Sequence, residues 1–195
     1  MGDLFRRPLI VVDTETTGLL SDPDASPWEV AAVLLDVQGN EIDQIEIVGR
    51  PPIWREDMRR IVALGGMDPD DLLSRSLIRD GALDVSDWIG ANIAKGANVT
   101  AFNVAFDRPM LIRAMIAPPK EYWAPCIMER VKPIMGEAGA LPWFDKYNDW
   151  KMPKLSEAAA FFNVPQQEPA HRALADARTA ALIAVELVKR MKGAK

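Results

Sequence analysis

An acidic pair near the N-terminus is the first feature of this sequence that could do chemistry. Asp13 and Glu15 lie two residues apart at the end of the apolar run PLIVVD, residues 8–13, which is typical of a buried strand. Because side chains alternate along a strand, we expect both carboxylates to point to the same side. Two hard oxygen ligands at a sheet edge suit Mg²⁺ or Mn²⁺. An acidic pair in a turn is also common without any metal.

Three further residues, far along the sequence from this pair, could extend the acidic site. Asp107 follows the strand-like residues 98–103, at a place where an aspartate also commonly caps a helix. His171 is the only histidine, and it precedes Asp176 by five positions, a little more than one helical turn. A loop histidine and an aspartate in the first turns of the next helix can therefore face one site. Taken alone, His171 and Asp176 are equally typical of residues on a solvated surface.

The segments around these residues predict an α/β layer fold. Apolar runs after the first strand predict two more strands, at residues 28–37 and 41–48, joined by a turn at Gly39 and Asn40. Such short connections favour antiparallel pairing. Helical patterns follow at residues 68–77, 81–95, 107–115, 154–164 and 173–192. Strands followed by alternation with helices indicate a mixed sheet flanked by helices.

Size and composition limit the classes of protein. A chain of 195 residues, 49% hydrophobic and 26% charged, is expected to form one domain over residues 1–195. No apolar run approaches the roughly 20 residues that a membrane span needs. The N-terminus lacks a secretory pattern, so we expect a cytoplasmic protein. A net charge of −5 argues against a broad basic surface for duplex DNA, but it is compatible with local contact to one strand end.

Three motifs, in this order, resemble those of a known superfamily. The strings DTETTGL, FNVAFD and HRALADA lie between residues 9 and 181. They resemble the three exonuclease motifs of the DEDDh superfamily, the DnaQ-like and RNase T-like 3′–5′ exonucleases. The resemblance implies a ribonuclease H-like fold with a central mixed five-stranded sheet, whose first three strands are antiparallel. It is favoured over a haloacid-dehalogenase phosphatase, whose downstream acidic motif is not found in this sequence.

The resemblance also implies a role for each residue of the site. Four acidic residues would hold two divalent cations, Mg²⁺ or Mn²⁺, and His171 would be the general base. These acidic residues are Asp13, Glu15, Asp107 and Asp176. The residues implied to contact the terminal nucleotide are Thr16, Gly18, Leu19 and Asn103, with Leu19 wedged against the base. The family often has a histidine where this chain has Phe102, so position 102 is left open between base stacking and core packing.

The substrate that the resemblance implies is the 3′ end of a nucleic acid. We expect release of nucleoside 5′-monophosphates, with single-stranded DNA favoured. RNA or oligoribonucleotides are the alternative, because both chemistries share these motifs. A catalytically weak binding module is a third interpretation, which the presence of all five site residues disfavours. A homodimer or a polymerase partner is left open, and no membrane partner is expected.

Two further groups of side chains could bind the nucleic acid. Aromatic residues gather in the irregular segment 136–153, where they could stack on bases or pack the segment onto the domain. They are Trp143, Phe144, Tyr147 and Trp150. Arg172 and Arg178 could reach phosphates, or they could be solvated helix charges.

Overall fold

A mixed β-sheet forms the centre of the fold in the computed structural model, which describes residues 4–168 and 171–193. Its strands are β1 (Leu9–Thr16), β2 (Pro27–Leu35), β3 (Glu41–Val48) and β4 (Asn98–Ala101). Their spatial order is β3-β2-β1-β4. The first three strands pair antiparallel, as expected, and β4 runs parallel to β1.

The prediction of a fifth strand in this sheet is wrong for the described residues, since the sheet has four strands. Beside β4 the chain makes one parallel bridge, between Val99 and Trp123, and the Ala124 N–H donates to the Val99 carbonyl at 2.7 Å. Pro125 has no N–H with which to continue the ladder. The Thr100 hydroxyl donates to the Pro125 carbonyl at 3.0 Å instead. A short irregular segment therefore covers this edge of the sheet.

Helices cover both faces of the sheet. They are α1 (Met58–Leu64), α2 (Pro69–Ser74), α3 (Ala82–Ala94), α4 (Val104–Arg113), α5 (Ile127–Glu137), α6 (Leu155–Phe162) and α7 (Ala173–Gly193). The sequence analysis did not predict α5. It also placed the start of α4 at Asp107 instead of Val104, so Pro109 lies inside this helix. Within the described ranges, no helix is both long and apolar enough to cross a membrane.

Each face of β1 packs against a different layer of helices. Leu9 and Val11 belong to the core cluster that includes α5, α6 and α7. Ile10 and Val12 belong to the core cluster that includes α3 and α4. Burial on both faces explains why the first half of β1 is continuously apolar. Asp13 and Glu15 continue the row of Leu9 and Val11, so they lie on the face covered by α7. A register shift directly after Glu15 ends the regular pairing of β1 with β2.

A small antiparallel hairpin follows α5. Its strands are β5 (Trp143–Phe144) and β6 (Asp149–Trp150). Trp150 packs against Gly136 of α5, and Asp149 accepts a hydrogen bond from Lys132 of the same helix at 2.6 Å. The packing interpretation therefore holds for Trp150. The three other aromatic residues of this hairpin are between 44% and 68% exposed.

Two glycines inside helices predict opposite effects of the same substitution. In Gly136→Ala the new methyl group would overlap the Trp150 ring, so we expect the free energy of unfolding to fall by about 1–3 kcal/mol. Gly90 of α3 faces open space, so Gly90→Ala is expected to add about 0.5–1 kcal/mol by restricting the unfolded backbone. Urea unfolding followed by circular dichroism measures both values. A stabilised Gly136→Ala protein would contradict the described packing.

Candidate active site

Carboxylates from three distant parts of the chain meet at the C-terminal end of β1. They are Asp13 and Glu15 on β1 itself, Asp107 in the first turn of α4, and Asp176 in the first turn of α7. The parallel pairing of β1 with β4 explains this convergence. Because β4 ends beside Val12, the chain enters α4 next to the end of β1. The topology thus brings together the acidic residues that the sequence analysis singled out.

Glu15, His171 and Asp176 form a compact group of possible metal ligands. One ligand atom of each lies within 4.8 Å of those of the other two. His171 lies just before α7 with φ at 61°, in the left-handed region that few residues other than glycine adopt. Its side chain is exposed. Two carboxylates and an imidazole at this spacing could hold a metal ion.

Asp107 approaches the site from the opposite side of β1. The Thr14 hydroxyl donates to Asp107 Oδ1 at 2.9 Å, and Asp107 is 3% exposed. Thr14 follows Asp13 in the strand, so its side chain points to the other face of the sheet. The charge of Asp107 nevertheless raises the pKa of Asp13. The two carboxylates therefore lie close to each other at the strand end.

Burial and mutual repulsion raise the pKa values of the clustered carboxylates. Burial is the larger cause for Glu15, whose pKa rises to about 8, and the charge of Asp176 is the next cause. Burial also raises the pKa of Asp13 well above its usual range, followed by the charges of Asp107 and Glu15. The pKa of Asp107 rises to about 7, mainly through burial. A bound cation would favour the ionised form of each group.

A fifth carboxylate, which the sequence analysis did not single out, lies beside Glu15. Glu29 pairs with Glu15 in the β1–β2 ladder and is 0% exposed. It accepts hydrogen bonds from Arg172 Nε at 2.9 and 3.0 Å. Burial raises the pKa of Glu29 to about 7, although Arg172 lowers it. The signal in the sequence was an acidic residue inside the apolar run WEVAAVLL, since a buried charge requires a partner.

The two arginines considered as phosphate contacts are both paired with carboxylates. Arg172 bonds Glu29, and its guanidinium also lies 3.6 Å from Glu46. Arg178 donates to both oxygens of Glu41 on β3, at 2.8 to 3.1 Å. Each guanidinium therefore already has a carboxylate that balances its charge. The structure therefore favours ion pairing over phosphate contact for both residues.

Three of the residues predicted to contact the nucleotide lie at the end of β1 and in the loop after it: Thr16 is the last residue of the strand, and Gly18 and Leu19 follow in the loop. The Thr16 hydroxyl donates to the Gly18 carbonyl at 2.9 Å, and the Leu19 side chain is 70% exposed. A Cβ atom at Gly18 would lie 3.3 Å from the Cβ of Ala25, so glycine also fits the close packing within the loop itself. Asn103, the fourth residue, precedes α4 and makes no capping hydrogen bond through its side chain.

Two further residues near this loop, Phe102 and Arg113, have structural roles. Phe102 is 7% exposed and belongs to the core cluster beneath α5, so position 102 serves in core packing. Arg113 of α4 donates to the carbonyls of three loop residues at 2.6 to 3.0 Å: Leu20, Asp22 and Ala25. The sequence analysis missed Arg113 because its partners are backbone carbonyls, which a sequence does not reveal. This contact holds the loop after β1 against the domain.

The fold and the site together define a class of protein. A mixed sheet with three antiparallel strands and a parallel fourth, with helices on both faces, matches the ribonuclease H-like fold of DnaQ-like exonucleases. The family model RNase_T, described as Exonuclease, matches residues 10–184. The chain belongs to this family, which confirms the assignment to the DEDDh superfamily.

Solved nuclease structures share this fold at low sequence identity. Cell-death related nuclease 4 (CRN-4) is 14% identical with a TM-score of 0.71, over 94% of this chain and 64% of that one. E. coli exonuclease I in complex with a dT13 oligonucleotide is 18% identical with a TM-score of 0.71, over 97% of this chain and 42% of that one. Exonuclease I from Methylocaldum szegediense is 21% identical with a TM-score of 0.68, over 95% of this chain and 41% of that one. This chain thus spans less than two thirds of each, and a search of curated proteins gave no match.

The raised pKa values predict that the metal-free fold loses stability as the pH rises. The pKa of Glu15 rises from 4.5 to about 8 on folding, so folding takes up protons between these values. The free energy of unfolding should therefore fall from about pH 5 to about pH 8 in EDTA. Because cations favour the ionised carboxylates, millimolar Mg²⁺ should raise the melting temperature, and more so at the higher pH.

Thermal melts at both pH values, with EDTA or Mg²⁺, measure this effect. The matched variant is Asp176→Asn, which lacks one of the clustered charges and should lose most of the gain from Mg²⁺. A melting temperature that does not respond to Mg²⁺ at either pH would show that the cluster binds no cation.

Proposed function

We propose that this chain is a metal-dependent 3′–5′ exonuclease that releases nucleoside 5′-monophosphates, with single-stranded DNA as the favoured substrate. The observation that carries the proposal is the grouping of Glu15, His171 and Asp176, whose ligand atoms lie within 4.8 Å of one another. Membership of the exonuclease family supports it. The fold is also shared with an exonuclease I that has been seen with dT13 and with dA16 oligonucleotides.

The chemistry of the donor set fits two divalent cations. Carboxylate oxygens suit Mg²⁺ and Mn²⁺, and the four residues that would hold these ions are Asp13, Glu15, Asp107 and Asp176. When bound, such cations stabilise the negative charge that develops on the phosphate and on the departing 3′ oxygen. The protein would supply the metal ligands, because three segments of the chain hold the four carboxylates at the end of one strand.

His171 is the residue that would accept the proton of the attacking water. Histidine is the side chain that most readily changes its protonation state near neutral pH. The carboxylates of Glu15 and Asp176 lie beside the imidazole and would stabilise the imidazolium that forms. Its exposed position leaves it accessible to water.

The loop after β1 would hold the terminal nucleotide. Leu19 offers an exposed apolar surface to the base, and Thr16 and Gly18 lie between it and Glu15 along the chain. Asn103 at the start of α4 would contact the nucleotide from the other side of the site. The bonds from Arg113 to the loop carbonyls would keep this binding surface in place.

A side-by-side digestion tests the substrate and the direction of attack. Single-stranded DNA, duplex DNA and RNA of one sequence, each labelled at the 3′ or the 5′ end, are incubated with Mn²⁺, Mg²⁺ or EDTA. We expect early release of labelled mononucleotide from 3′-labelled single-stranded DNA, and only with a cation. Faster release from RNA would reassign the substrate class. Attack from the 5′ end, or activity in EDTA, would contradict the mechanism.

Replacement of His171 tests its role as the base. His171→Ala is expected to lower kcat by roughly 10²–10⁴, with KM and cation binding largely unchanged, because the proton acceptor is lost and the carboxylates are kept. The control is Gln166→Ala, a change of an exposed residue in the same loop, which should leave the rate nearly unchanged. Steady-state digestion at several substrate concentrations measures both constants. A near-normal rate in His171→Ala would remove this residue from the chemistry.

A further inference from the structure

A buried ion pair holds the residues that directly follow His171 onto the sheet. Arg172 Nε donates to both carboxylate oxygens of Glu29 on β2, at 2.9 and 3.0 Å. The backbone of Ala173, the first residue of α7, also lowers the pKa of this carboxylate. Glu29 therefore lies near the N-terminus of α7, where the helix dipole favours a negative charge.

Stability alone does not explain this ion pair. All residues of β2 are buried, and Glu29 is 0% exposed whereas Arg172 is 27% exposed in its side chain. Burying a carboxylate has a desolvation cost that its partner only partly returns, so an apolar residue at such a position is often equally stable or more so. A role in positioning accounts for the charge, because an ion pair fixes direction and distance whereas an apolar contact does not.

His171 depends on its neighbours for its position. Its own side chain is exposed, and its backbone has a φ of 61°, which is unfavourable for a residue with a Cβ atom. On its C-terminal side the chain is held firmly, because Arg172 bonds Glu29 and the Asp176 N–H donates to the Arg172 carbonyl at 3.0 Å. Arg172, whose contact with Glu29 we call the anchor, is therefore joined to His171 by one peptide bond.

We propose that Glu29 and Arg172 are positioning residues, which set the distance between the His171 imidazole and the carboxylates of β1. This inference rests on the proposed function. Glu29 and Glu15 are cross-strand partners, so the anchor and the acidic residue move together as one part of the sheet. The position of His171 relative to Glu15 then depends on one ion pair and not on the long loop between α6 and α7.

α7 contains a control for this pair. Arg178 of α7 bonds Glu41 of β3 through two donors, so this second pair also joins an arginine to a strand glutamate. Both side chains are about one third exposed, at 35% and 34%, and neither belongs to the group around Glu15. Loss of this second pair removes a helix-to-sheet ion pair without touching the residues next to His171.

The kinetic test compares Glu29→Gln with Glu41→Gln, which both keep the side-chain shape and remove the charge. We expect Glu29→Gln to lower kcat about 10- to 100-fold with little change in KM, as for other residues that orient a reacting group. Glu41→Gln should leave both constants nearly unchanged. The double variant Glu29→Gln/Arg172→Gln should be no slower than the slower of the two single variants, because the pair acts as a unit.

A second readout does not need turnover. His171 is the only histidine, so in untagged protein its imidazole protons give one assignable set of NMR signals. Bound Mn²⁺ broadens signals steeply with decreasing distance, so saturating Mn²⁺ should broaden these signals strongly in the wild type and in Glu41→Gln. In Glu29→Gln the broadening should fall while Mn²⁺ still binds, as measured by calorimetry.

The outcomes separate this inference from the proposed function. Normal kcat and full broadening in a folded Glu29→Gln protein would overturn the positioning role. If Glu29→Gln fails to fold, Arg172→Lys keeps the charge but loses the planar contact, and a normal rate in that variant would overturn the role equally. If the wild type itself shows neither cation-dependent digestion nor broadening, the proposed function fails first. In that case, a change in the His171 NMR signals of the metal-free protein in Glu29→Gln, but not in Glu41→Gln, would still show that the Glu29–Arg172 pair affects the position of His171.

Discussion

Repulsion between like charges at the end of β1 is the constraint on which the rest of this structure depends. The charges of four other carboxylates all raise the pKa of Asp13: Asp107, Glu15, Asp176 and Glu29. Ligand atoms of Glu15 and Asp176 lie within 4.8 Å of each other. At that upper limit, an effective dielectric constant near 20 gives a repulsion of about 3–4 kcal/mol for one ionised pair. A fold can keep such a cluster only if its core provides the compensating free energy, and if protons, cations or a guanidinium reduce the charge.

Burial of β1 on both faces provides that compensating free energy, and it also sets the face of the sheet to which the acidic side chains point. The apolar half of the strand contributes to both cores of the domain, and the alternation of side chains then places Asp13 and Glu15 on the face covered by α7. Asp107 and Asp176 each lie in the first turn of a helix that begins at the strand end. The same strand, β1, therefore contributes residues both to the hydrophobic core and to the acidic cluster.

Much of this arrangement could be predicted from the sequence, and the failures have physical causes. The antiparallel first strands and the family are confirmed, since both rest on local patterns that tertiary contacts do not change. The fifth strand was wrong because Pro125 interrupts the ladder after a single bridge. The contacts of Arg113 and Glu29 could not be predicted, because their partners are backbone groups or lie far away in the sequence. The roles of the predicted site residues stay predictions.

The register shift directly after Glu15 has a consequence for how such a domain can diverge. An insertion upstream of this bulge would turn every later side chain of β1 to the opposite face and destroy the acidic cluster. Changes beyond it fall in the loop that carries Gly18 and Leu19, and they leave the cluster in place. Sequence changes in this loop can therefore alter what the loop contacts without moving the carboxylates, because the register shift lies between the two.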